Sequence, residues 1–82
     1  IQLDRDVSVI EFYPPKRWIG KSLAQLELRK HFQLNIIGFR EHRNSDLNIH
    51  LTPNYTFKEG ELLMAVTESQ IVDNFEKIIN LL

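Results

Sequence analysis

Eighty-two residues, 43% of them hydrophobic, suffice for one small domain with a thin core, because folding at this length buries only about 60% of the unfolded surface. Ten basic residues against eleven acidic leave a net charge of −1, which favours neither nucleic acid nor an anionic membrane. The absence of cysteine excludes disulfides, a thiol nucleophile and sulfur-ligated zinc, and it fits a reducing cytoplasm.

Asp6 to Tyr13 (DVSVIEFY) is rich in β-branched and aromatic residues and reads as a first strand, stopped by Pro14 and Pro15. Lys16 to Lys21 follows as a loop. Ser22 and Gln25 have the capping-box form, which starts a helix over SLAQLELRKHF. Its apolar positions Leu23, Leu26, Leu28 and Phe32 fit helical spacing loosely, which predicts a short or bent helix. Leu34 to Arg40 reads as a second strand and Glu41 to Asp46 as a polar turn. Leu47 to Leu51 (LNIHL) alternates cleanly, so a third strand and an antiparallel hairpin are expected here.

Thr52 to Gly60 is an irregular connection, and Glu61 to Thr67 reads as a fourth strand. Ile71, Val72, Phe75, Ile78, Ile79 and Leu82 then form the apolar stripe of an amphipathic helix. Its start is capped by a Thr67–Gln70 box, with Ser69 as the competing cap. The order β-α-β-β-β-α predicts an α+β fold: an antiparallel-rich four-stranded sheet with helices on one face and one parallel-type crossover. No apolar run approaches the ~18–20 residues that cross a bilayer, so direct membrane insertion is not expected. The start at Ile1 suggests that residues 1–82 are a single domain excised from a longer chain.

Chemistry of the catalytic kind finds little support. His31, His42 and His50 match no compact metal-ligand spacing and read as surface or satisfied histidines. The glutamates are scattered, the serines lack a nucleophile-elbow context, and the three glycines make no phosphate-cradling loop. Neither an enzyme nor a metal protein is expected. One feature points to binding instead. With Leu47, Ile49 and Leu51 turned to the core, Asn48 and His50 face the other way, beside Ile36, Ile37 and Gly38 of the preceding strand. An amide and an imidazole among apolar side chains suit a small-molecule site, and Gly38 permits close approach of a ligand or partner. An ordinary half-exposed hairpin or a dimer contact accounts for the same residues.

The run IGKSLAQLELR (19–29), then LNIIGFR (34–40), Pro53 and FKEGELLMAV (57–66), resembles the C-terminal domain of RCK proteins, also called TrkA-C. The resemblance spans residues 7–82. Glu61 replaces the common aspartate after Gly60, Thr67 stands where many members have glycine, and the turn 41–46 is where members vary most.

What the resemblance implies is regulation of potassium transport. Such domains follow a nucleotide-binding domain in cytoplasmic subunits of potassium channels and transporters, form homodimers, and in several members bind cyclic di-AMP at the dimer interface. The implied partners are a twin copy and a membrane transport subunit or domain of the parent, with no nucleic acid and no resident cofactor. The implied location is the cytoplasmic face of the cell membrane. Carried onto this chain, the ligand site comprises Ile36, Ile37, Arg40, Asn48, Ile49, His50 and Pro53. The apolar members and Asn48 would meet the adenines, with Arg40 and His50 as phosphate donors. A structural homodimerisation module without a ligand is the alternative.

Overall fold

The computed structural model describes residues 1–81. In chain order it comprises β1 (Gln2–Asp4), β2 (Val7–Phe12), a 3-10 turn (Lys16–Trp18), α1 (Leu23–Leu26), α2 (Leu28–Phe32), β3 (Asn35–Arg40), β4 (Leu62–Glu68) and α3 (Ser69–Leu81). The sheet order is β1-β2-β4-β3, and every neighbouring pair is antiparallel. Because β2 and β3 both oppose β4, they run parallel to each other. The chain reaches β3 from β2 through α1 and α2, which is the expected crossover, and the α+β class holds.

The pleat sorts the strands by face. Ser8, Ile10 and Phe12 of β2 stand beside Thr67, Ala65 and Leu63 of β4, while Ile36 and Phe39 of β3 pair with Ala65 and Leu63. This face carries the core. Trp18, Leu28, Leu34, Phe57, Leu63, Ala65 and Phe75 form one buried cluster, so α2 and α3 lie on the same side of the sheet. Trp18 is its hub, with ring centroids 5.9 Å from Phe12, 5.7 Å from Phe32 and 5.8 Å from Phe57. Along α3, Phe75 is buried and Ile71 and Ile79 pack against the cluster, whereas Ile78 is 41% exposed. The stripe is therefore narrower than its sequence suggests; Leu82 lies outside the described residues.

The structure differs from the sequence reading in its strands, a helix and a cap. Leu47–Leu51 is not a strand: it touches the sheet through a single bridge, in which Phe39 and Asn48 exchange backbone hydrogen bonds of 2.9 and 2.8 Å. Ile49 is 63% exposed, so the alternating pattern does not turn it to the core. The fourth strand is β1, short and solvent-exposed, held at Ile1 and Val9 by paired backbone bonds. The helix begins at the Ser22–Gln25 capping box as read, with bonds of 3.1 and 2.8 Å. It breaks at Glu27, in the left-handed region (φ 46°), and restarts so that Leu28 enters the core. The Thr67–Gln70 box does not form. Thr67 is the last inward residue of β4 and donates its hydroxyl to the Gln33 carbonyl at 3.0 Å, while the Ser69 hydroxyl meets that of Ser8.

Candidate functional site

Gly38 explains how the candidate residues come to lie on the β3 edge. A Cβ there would stand 2.7 Å from the Asn48 carbonyl oxygen and 3.0 Å from Leu47. The close approach that Gly38 permits is thus made by the chain itself, not by a ligand or partner. Asn48 then folds locally: its Oδ1 accepts the His50 backbone N–H at 2.8 Å, an Asx turn that leaves the amide NH2 outward. Downstream, Pro53 and Tyr55 offer carbonyls to the first N–H groups of α1, from Ala24 at 3.0 Å and Leu23 at 2.8 Å. Those donors have no partner inside a helix, so the connection closes the helix start.

The seven candidates do not converge on one pocket. Asn48, Ile49 and His50 line a depression of about 400 Å³ whose walls include Glu41, Ser45 and Asp46. Ile36 and Pro53 line a larger groove of about 710 Å³, bounded by α1, α2 and the 51–53 segment. Arg40 lies in a third depression with Glu11, Tyr13 and Arg43. Ile37, at the β3 irregularity and 37% exposed, lines none of these three. The division follows from the lost strand. Without a second ladder, residues 47–51 do not continue the face that Ile36 occupies.

Electrostatics separates the three places further. The Arg40 guanidinium is already engaged, with Nε 3.3 Å from Glu11 Oε2 and Nη1 donating to the Ser45 carbonyl at 2.8 Å. Arg40 thereby braces the 41–46 turn. The His50 depression carries two acidic side chains, a poor setting for phosphate. The groove presents one acidic side chain, Glu27, and two cations that the sequence reading did not single out, Arg29 and Lys30. Arg29 closes the LELR segment (26–29), read there as pattern and not as site, and Lys30 follows it.

A polar pair, half-buried Tyr55 and buried Glu61, lies beside the groove wall. Tyr55 donates its hydroxyl to Glu61 Oε1 at 2.5 Å, and Glu61 is 8% exposed. Burial, then the hydrogen bond and negative charge of Glu61, push the Tyr55 hydroxyl well above its ordinary value of 10.0. The ring also packs on Phe39 and Phe57, with centroids 4.7 and 5.3 Å away. Among the described residues, no helix is long and apolar enough to cross a membrane, and no group of three or more His, Asp or Glu side chains is placed to hold a metal.

The family model of the TrkA-C domain matches residues 7–80. Among solved structures, the GsuK RCK domain superposes with a TM-score of 0.79 at 22% identity, over 95% of this chain and 17% of that one. The KtrA RCK C domain, in complex with cyclic di-AMP, gives 0.71 at 25% identity, over 87% of this chain and 81% of that one. The RCK_C domain dimer of S. agalactiae BusR, also with cyclic di-AMP, gives 0.66 at 14% identity, over 94% and 99%. No curated protein matches the sequence.

Proposed function

The chain belongs to the TrkA-C domain family, and from that premise we propose that it is a regulatory domain of a potassium transport system, binding cyclic di-AMP as a homodimer. The observation that carries the reading is the likeness to the KtrA domain, whose structure holds that ligand and whose length this chain nearly spans. The open apolar places along the β3 edge and α1–α2 support it, because adenines need flat apolar surface with a few edge hydrogen bonds.

The mechanism is differential binding. A ligand with two-fold symmetry suits a two-fold interface, each subunit contributing one half-site. A ligand that binds one arrangement of the dimer more tightly draws the population toward it, and the attached transport machinery at the cytoplasmic face of the membrane follows. The domain acts by binding and not by catalysis. In the alternative, the same surfaces pack against the twin and no small molecule is sensed.

Calorimetric titration with cyclic di-AMP, beside cyclic di-GMP and AMP, separates the two. Selective heat at one ligand per dimer is expected. A stable dimer that takes up none of the three supports the structural alternative.

A further inference from the structure

Resting on the nucleotide reading above, we propose that the ligand seats in the groove between α1–α2 and residues 51–53, with Arg29 as its phosphate contact. The groove is the most spacious of the three places that hold candidate residues, at about 710 Å³. Leu23, Ile36, Leu51 and Pro53 give its lining the apolar surface that a purine ring requires.

Arg29 is built for the task. The left-handed break at Glu27 restarts the helix so that Leu28 is buried and Arg29 follows it to the groove. Its Nε donates to Asn35 Oδ1 at 2.8 Å, and Asn35 Nδ2 in turn reaches the Val66 carbonyl at 3.4 Å. The guanidinium is thus anchored to the sheet through one nitrogen. Among the described residues no carboxylate pairs with it, so both terminal nitrogens are available as a fork for a phosphate. Arg40 lacks that freedom, being held by Glu11 and the Ser45 carbonyl. Lys30 stands at the rim, 4.0 Å from Glu27 with both side chains largely in water, and adds a screened charge.

The test is calorimetric titration of cyclic di-AMP into the unaltered chain, Arg29→Ala, Arg29→Lys and Asn35→Ala, each checked for an unchanged melting temperature. Arg29→Ala is expected to weaken binding about tenfold or more, since hydrogen bonds to a charged group are being lost. Arg29→Lys should recover only part, because lysine keeps the charge and loses the fork. Asn35→Ala, a positioning change, should fall between. Amide shift changes on titration should centre on Ala24, Ile36 and Thr52. Undiminished affinity in Arg29→Ala, or shifts confined to 48–50, overturns the groove while leaving the sensing reading intact. An unaltered chain that binds none of cyclic di-AMP, cyclic di-GMP and AMP overturns the sensing reading itself, and the groove with it.

Discussion

Trp18 and Asn48 sit in regions held together by different means. Trp18 is 3% exposed and lies against four aromatic rings, those of Phe12, Phe32, Phe57 and Phe75. Asn48 is exposed, as is Ile49 beside it, and two backbone hydrogen bonds to Phe39 tie it to the sheet. Around Trp18, apolar area removed from water does the stabilising. Through residues 41–55 polar clips do it: Arg40 to the Ser45 carbonyl, Asn48 to Phe39, the Pro53 carbonyl to α1, and Tyr55 to Glu61. A segment held this way opens locally at lower cost than the core does. The difference teaches where Asn48, Ile49 and His50 are placed, on chain that is positioned by the core without belonging to it.

The contrast breaks most completely at its apolar end. Trp18→Ala removes the ring that joins β2, α2, the 57 region and α3, at a cost of about 3–5 kcal/mol. A domain this small has a total stability of the order of that figure or a little more. Chemical denaturation should find the variant largely unfolded; a melting temperature near that of the unaltered chain would deny Trp18 its hub role.

At the polar end, Gly38→Val sets a side chain where the Asn48 carbonyl stands 2.7 Å from the Cβ position. Backbone cannot yield as a flexible side chain does, so the Phe39–Asn48 bridge must open, costing about 3 kcal/mol. The loss should be local. Hydrogen exchange is expected to rise at Phe39 and Asn48 while amides facing the Trp18 cluster keep their protection, and uniform loss of protection would show that the regions are not separable.

The same contrast marks how far the sequence could be read. Core-facing patterns were legible: β2 and β4 follow their apolar residues, and Phe75 leads the α3 stripe. The capping box at Ser22 was legible as well, because both partners are local. Leu47–Leu51 misled because alternation reports a strand only where a ladder and a buried face exist together. Here Ile49 points to water and one bridge replaces the ladder. β1 gave no signal, being three residues with no buried side. The break at Glu27 left a trace in the spacing of Leu26 and Leu28, two positions apart yet both turned toward the core, which one unbroken helix cannot provide. The grouping of the candidate site residues was not readable. Grouping depends on where residues 47–53 run, and that path is set by Gly38, Tyr55 and Glu61 from three separate stretches of chain.

Tyr55 belongs to both regions, and its substitution sharpens the comparison with a smaller effect. The ring packs with Phe39 and Phe57, while the hydroxyl serves the buried Glu61 carboxylate. Tyr55→Phe keeps the packing and strands that carboxylate, at a cost of about 2 kcal/mol at neutral pH. The alkaline limb gives the second readout. In the folded chain the hydroxyl holds its proton well above the ordinary value of 10.0, whereas in the unfolded chain it ionises near that value. Above pH 10 the unfolded state therefore binds fewer protons than the folded one, and stability falls as pH rises. Below that pH the contribution is complete and flat. Denaturation midpoints followed from pH 8 to 11 should decline more steeply in the unaltered chain than in Tyr55→Phe, so that the two curves converge. Parallel curves would mean that the hydroxyl is wet, that the clip to Glu61 is absent, and that residues 51–55 are held by aromatic packing alone.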